Sequence, residues 1–161
     1  MSVGKSSPWR GLAVPVIFFL LAFPAPAYAG VLHAFKSDGC SLFPDGDLAD
    51  RELWCDCCLN HDIAYWQGGS RADRKQADES LRQCVLARTG SKVLAGLMYD
   101  GVRAGGHPAF PTWYRWGYGW NYGRGYTLLT ESEQRQVGDK LVEYYTQHPS
   151  GYCLEKKNNV K

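Results

Sequence analysis

His61 and Asp62 stand together in the run Cys57-Cys58-Leu59-Asn60-His61-Asp62-Ile63-Ala64-Tyr65, and these residue types can move a proton and hold a cation. An imidazole becomes a dependable general base when a carboxylate on one ring nitrogen sets its tautomer and leaves the other nitrogen free. Asp78 is the expected partner, by hairpin geometry. Gly68-Gly69-Ser70 is a tight turn between two helical patterns, so the helices should run antiparallel, and residues equally far from the bend should face each other. The midpoint of positions 61 and 78 is 69.5, and that of Cys57 and Cys84 is 70.5, so both pairs fold about the same turn. Cys57 and Cys84 then meet about one 5.4 Å helical turn farther from the bend. A disulfide between them would fix the register of the His61–Asp78 pair.

Asp62 follows a strongly acidic stretch. From Asp38 to Asp62 there are seven carboxylates (Asp38, Asp45, Asp47, Asp50, Glu52, Asp56, Asp62) against one base, Arg51. Such a stretch is either a solvated face or a place to hold a cation. Calcium takes several oxygen ligands, commonly carboxylates and backbone carbonyls of a flexible loop, and the Gly-, Asp- and Pro-containing loop 38–47 with Asp62 could supply them. A bound cation of that kind polarises an ester carbonyl and stabilises the developing oxyanion. A base and a Lewis acid side by side suit ester hydrolysis by an activated water.

The elements that must position these groups are mainly helical. Trp54, Cys58, His61 and Tyr65 recur at spacings of 4, 3 and 4, which places them on one face of a helix expected over Leu48 to Gln67. Ser70 with Asp73 reads as a capping box opening a second helix through about Arg88, striped by Ala77, Leu81, Cys84 and Val85. A third helix is expected from about Lys92 to Arg103. Thr130 with Glu133 opens a fourth through about Gln147, ended by Pro149 and Gly151. Between the last two, Tyr114, Trp116, Tyr118, Trp120 and Tyr122 alternate with other residues. Period two predicts an extended segment with its rings on one side, packed on the helices or turned to a lipid interface.

Composition narrows the class. Lys5, Arg10, the apolar run Leu12 to Phe23 and the small-x-small triplet Ala27-Tyr28-Ala29 read as a cleaved export signal over residues 1–29. The run is shorter than the roughly 20 apolar residues a membrane helix needs. Taking 29 residues from 161 leaves 132, the size of one domain over 30–161, with 16 Lys+Arg balancing 16 Asp+Glu. That balance argues against a nucleic-acid partner. All six cysteines lie after the leader, and an even number in an exported chain predicts three disulfides. Zinc is the alternative that Cys55-x-Cys57-Cys58-x-x-His61 offers, although no second Cys/His pair at ligand spacing follows. His33, His107 and His148 have no comparable neighbours and receive no role.

The motif Cys57-Cys58-x-x-His61-Asp62-x-x-Tyr65, followed by a second helix with Asp78 six residues before Cys84, resembles the secreted phospholipases A2. The resemblance covers roughly residues 38–86. It implies a mainly α, disulfide-braced phospholipase A2-like fold with two antiparallel catalytic helices, an N-terminal calcium loop and, here, a short aromatic extended segment. By the same resemblance His61 is the base, Asp78 its carboxylate, Tyr65 a tyrosine bonded to that carboxylate, and Asp62 a calcium ligand with the carbonyls of Gly39, Ser41 and Phe43. Cys57–Cys84 resembles the family's bond between the catalytic helices and Cys40–Cys58 its bond from calcium loop to helix, leaving Cys55–Cys153. The implied activity is calcium-dependent cleavage of an acyl ester, at sn-2, of glycerophospholipids at a membrane surface or micelle. The alternative is a noncatalytic, calcium-dependent lipid-binding or toxin-like module on the same scaffold. The export signal implies a secreted or periplasmic protein.

This chain also departs from that pattern. Asp38-Gly39-Cys40-Ser41-Leu42-Phe43-Pro44-Asp45-Gly46 replaces the usual Gly-rich loop and is closer to divergent members that read Gly-Cys-Ser-x-Phe-Pro. A turn of a few residues stands where a β-wing usually separates the helices. Ala64 replaces a familiar cysteine.

Overall fold

The computed structural model describes Met1 and residues 30–159, so the expected leader lies outside the described residues but for its first methionine. Among the described residues five helices in chain order carry the fold: α1 Cys55–Gln67, α2 Arg71–Thr89, α3 Lys92–Gly105, α4 Glu131–Gln147 and α5 Tyr152–Asn159. There is no strand among the described residues, and none of the described helices is long and apolar enough to cross a membrane.

The starts of α2 and α4 show the expected local chemistry. Ser70 Oγ accepts the Asp73 amide at 3.1 Å while the Asp73 carboxylate accepts the Ser70 amide at 2.8 Å. Thr130 and Glu133 repeat that exchange at the start of α4. Each box satisfies two helix-end amides that would otherwise lack partners.

Two expectations are corrected. The first helix begins at Cys55, not Leu48. Asp47 accepts the amides of Ala49 and Asp50 on its side chain, and Asp50 accepts that of Glu52. These short Asx bonds offer the backbone a turn in place of a helix. The aromatic segment is not extended either, but a chain of turns, with the Tyr118 amide bonded to the Arg115 carbonyl and the Trp120 amide to that of Gly117.

Those turns finish α1. The amides of Gly117 and Gly119 donate to the carbonyls of Tyr65 and Trp66, and the indoles of Trp120 and Trp116 donate to Gln67 and Gly69. The last helical carbonyls, which have no intrahelical partners, are thereby satisfied by one remote segment. Alternate rings serve different ends as a result: Trp116 and Trp120 are buried while Tyr122 is exposed. Helix α5 lies beyond the Pro149–Gly151 stop, in a stretch for which the sequence pattern named no element.

The six cysteines form Cys40–Cys58, Cys55–Cys153 and Cys57–Cys84, leaving no free thiol. Zinc through Cys55, Cys57 and Cys58 is thereby excluded, since each sits in a different disulfide and has no thiolate to offer. Three disulfides suit an oxidising compartment. Around α1 lie two apolar clusters. Trp54, Leu81, Val85, Ala95 and Met98 gather with the cysteines on the α2–α3 side. Leu32, Phe35, Leu59, Trp66, Trp120, Val137 and Tyr144 form the other core, toward α4. Helix α1 is held from both sides, so its polar residues are fixed between them.

Candidate active site

The α1–α2 hairpin brings His61 Nε2 to 2.9 Å from Asp78 Oδ1, with Asp78 fully buried and His61 9% exposed. Tyr65, one turn along α1, donates its hydroxyl to the same carboxylate oxygen at 2.7 Å. Its ring lies 4.2 Å from the imidazole, centroid to centroid. Tyr65 is itself pinned by Gly106, where a Cβ would stand 2.3 Å from the ring, so only glycine allows that approach.

Two arginines complete the cluster. Arg103, in the last turn of α3, donates to Asp78 Oδ2 at 2.6 Å. Arg74, 2% exposed, places its Nε 3.0 Å from the Tyr65 hydroxyl and 3.9 Å from Asp78 Oδ2. Its remaining donors go to the carbonyls of Val102 and Arg103 and to the Tyr126 hydroxyl. Arg82, four residues after Asp78 on the same helix, bonds Glu79 instead. Burial alone pushes the Asp78 carboxyl up, but the bonds from His61, Arg103 and Tyr65 outweigh it and hold Asp78 below the usual carboxylate range. Burial and the Asp78 charge push the Tyr65 phenol well above its ordinary value, keeping it a donor.

His61 and Asp62 line a cleft of about 330 Å³ whose walls are Leu42, Phe43, Leu81, Leu97, Met98, Val102 and Tyr114, with Gly39, Cys40 and Ser41 at one side. Of the seven acidic residues between 38 and 62, Asp62 alone lines it. Asp45 and Asp50 pair with Lys156 and Lys157 of α5, and Asp56 pairs with Arg88. Three of the seven carboxylates are therefore ion-paired rather than gathered at the cleft. Three clusters of metal-ligand residue types occur among the described residues, but each includes a disulfide cysteine and none contains Asp62.

Asp62 is 7% exposed and accepts the Ser37 hydroxyl at 2.6 Å. Burial pushes its carboxyl up to about 8, opposed by the Ser37 bond and reinforced by the charges of Asp38 and Asp45. Gly39, Ser41 and Phe43 line the same cleft, and among the described residues their carbonyls accept no hydrogen bond. Gly39 has φ +81°, and a Cβ there would lie 2.2 Å from Asp45 Oδ1. That approach lets Asp45 accept the Cys40 amide at 2.7 Å and fix the loop. One buried carboxylate with a set of unbonded carbonyls fits a hard, oxygen-seeking cation such as calcium.

The hairpin residues are legible from spacing, and the four-residue spacing of Arg74 from Asp78 on one helix points to their pairing, whereas sequence reasoning missed Ser37 and Arg103 as parts of the site. Arg103 and Ser37 are each 25 residues from the carboxylate they bond, and no local pattern announces them. Compared with protein-family models, curated proteins and solved structures, the chain matches none, so its functional reading rests on the cleft and the residues that line it.

Proposed function

We propose that the protein is a calcium-dependent phospholipase A2-like hydrolase that cleaves an acyl ester, at sn-2, of glycerophospholipids, acting outside the cytoplasm or in a periplasm. The observation that carries this reading is the His61–Asp78 bond at the wall of a mostly apolar cleft. Asp78 holds Nε2 and orients the ring, and Nδ1 is the nitrogen left to take a proton from an attacking water. Tyr65 keeps the carboxylate in place. Asp62 and the carbonyls of Gly39, Ser41 and Phe43 are the groups that would hold calcium, which supplies Lewis-acid polarisation of an ester carbonyl when bound. The apolar walls suit an acyl chain and keep bulk water from the base. The resemblance of residues 38–86 to the secreted phospholipases A2 supports the same assignment.

Fatty-acid release from mixed phospholipid vesicles, with calcium and with a chelator, tests the proposal. Release should need calcium and should fall about 10²- to 10⁴-fold in His61→Asn, the usual range for a general base, with the helical circular-dichroism spectrum unchanged. Retained turnover in that variant would remove His61 as the base. Calcium-dependent vesicle binding without release would establish the noncatalytic lipid-binding module instead.

A further inference from the structure

The loop that carries Gly39, Ser41 and Phe43 does not hold its shape by itself. Gly39 stands at φ +81° and Leu42, an exposed leucine, at φ +60°. A left-handed leucine persists only where its surroundings fix it. Cys40, between the two, is bound by its disulfide to Cys58 and by the Phe43 amide on its carbonyl at 2.8 Å. Asp45 Oδ1 accepts its amide at 2.7 Å. Asp45 is itself shared. Its backbone carbonyl accepts the Trp54 amide at 2.9 Å, and its second carboxylate oxygen, Oδ2, takes the Lys156 ammonium. Helix α5 thus reaches the loop through one lysine, and the Cys55–Cys153 disulfide ties that helix to the first residue of α1.

We propose that Lys156 is a positioning residue of this loop: as the counter-charge of Asp45 it keeps that carboxylate on the Cys40 amide, and so keeps Gly39, Ser41 and Phe43 placed to offer their carbonyls to a cation. The inference deepens the calcium reading of the site and rests on it for the metal. A second carboxylate explains why a counter-charge is needed. Glu52 brings an oxygen within 4.8 Å of an Asp45 oxygen, and its Oε2 is buried without a partner. Two carboxylates that close repel each other where water screens them poorly. Without Lys156, the Asp45 side chain is driven from Glu52 and off the Cys40 amide. Gly39 would follow, because Asp45 Oδ1 sits 2.2 Å from where a Gly39 Cβ would stand. Lys157, the next residue, is engaged elsewhere, with Asp50 at 3.1 and 3.2 Å. Charge and position act in opposite directions here. A lysine near a cation site repels the cation, so removing its charge alone would tighten calcium binding, whereas loss of the loop's shape weakens it.

The test is calcium affinity by titration calorimetry on the oxidised protein, without lipid. In Lys156→Gln the dissociation constant should rise about tenfold, the low end of what losing a group behind the ligands costs a metal site. Lys156→Arg, which restores the charge, should recover most of that loss, and Lys157→Gln should leave the constant unchanged. An unchanged or tighter constant in Lys156→Gln overturns the proposal. So does an equal loss in Lys157→Gln, which would make the docking of α5 the cause rather than Lys156. Amide hydrogen exchange in chelator reads the same contact without metal. The Cys40 amide of Lys156→Gln should exchange about three- to tenfold faster, the size of one weakened hydrogen bond, while that of Asp73 at the start of α2 keeps its rate. Should the unaltered protein bind no calcium, the calcium reading falls and this exchange decides the role of Lys156: a faster Cys40 amide supports it and an unchanged one overturns it. The Lys156 side chain is 31% exposed and its helix is held by a disulfide, so the variant should fold. If it does not, the ammonium of the unaltered protein decides by NMR. Slowed exchange of its protons supports the proposal, and a freely exchanging ammonium overturns it.

Discussion

Two buried carboxylates of this protein belong to one small region and are treated in opposite ways. Asp78 is met by His61, Tyr65 and Arg103, with Arg74 close by, and its charge is stabilised below the usual range. Asp62 has the Ser37 hydroxyl for a side-chain partner and feels the charges of Asp38 and Asp45, and its carboxyl rises to about 8. Both side chains are buried, so burial does not decide their state; the supply of donors does. One carboxylate is finished by the protein and suits a fixed role as an orienting group. The other is poorly compensated and suits a ligand role.

Removing each carboxylate should separate them most clearly. Asp78→Asn takes the shared counter-charge from two arginines, and breaking such a buried pair typically costs about 3–5 kcal/mol. Urea unfolding should show that loss, together with a fall in lipid hydrolysis of about 10²-fold or more. Asp62→Asn should cost no stability above about pH 8, where it relieves a poorly compensated buried charge, yet it should abolish calcium binding by titration calorimetry. Equal destabilisation in both variants would erase the contrast.

The disulfides offer a second separation. Replacing Cys57 and Cys84 together by serine should lower stability by about 3 kcal/mol and reduce turnover even at saturating calcium, because the hairpin register loosens. Replacing Cys40 and Cys58 should instead raise the calcium concentration needed for half-maximal activity, because that bond ties the loop bearing Gly39, Ser41 and Phe43 to α1.

The pH dependence of stability, measured in chelator, should carry both signs. Asp78 has a lowered folded value, so its contribution is present above the ordinary titration near 3.8 and is lost as pH falls through the lower folded value. Asp62 has a raised value, so between 3.8 and about 8 the folded chain keeps a proton that the unfolded chain has released. Its contribution therefore declines as pH rises through that window. Asp62→Asn should flatten the decline between about pH 4 and 8 and leave the acid loss due to Asp78. The smallest effect concerns the helix that carries Asp78: Ser70→Ala removes the α2 cap and should cost about 1 kcal/mol, with little change at Asp62.

The hairpin half of the site is legible in the sequence because it is built from local rules. Gly68 and Gly69 adopt φ +69° and +139°, values that glycine tolerates, and Ser70 with Asp73 starts the next helix. Helical periodicity then carries the register from the turn to Cys57–Cys84. The loop half is less legible. The acidic stretch promised a gathered cation site, yet Asp45, Asp50 and Asp56 pair with Lys156, Lys157 and Arg88. Those partners come from other elements, and the late lysines belong to a helix whose eight residues show no apolar stripe to announce it.

The sequence by itself determined the helix starts at Ser70 and Thr130, the turn and the facing of His61 with Asp78, all of which depend on residues a few positions apart and on a fixed helical repeat. Only the tertiary structure decided that the alternating aromatic segment folds as turns to cap α1, and that Ser37 and Arg103 reach Asp62 and Asp78 across 25 residues of chain. Period-two alternation specifies a strand only when a neighbouring strand is present to bond its amides. Here the unsatisfied carbonyls at the end of α1 took them, and that choice is made by contacts between remote parts of the chain.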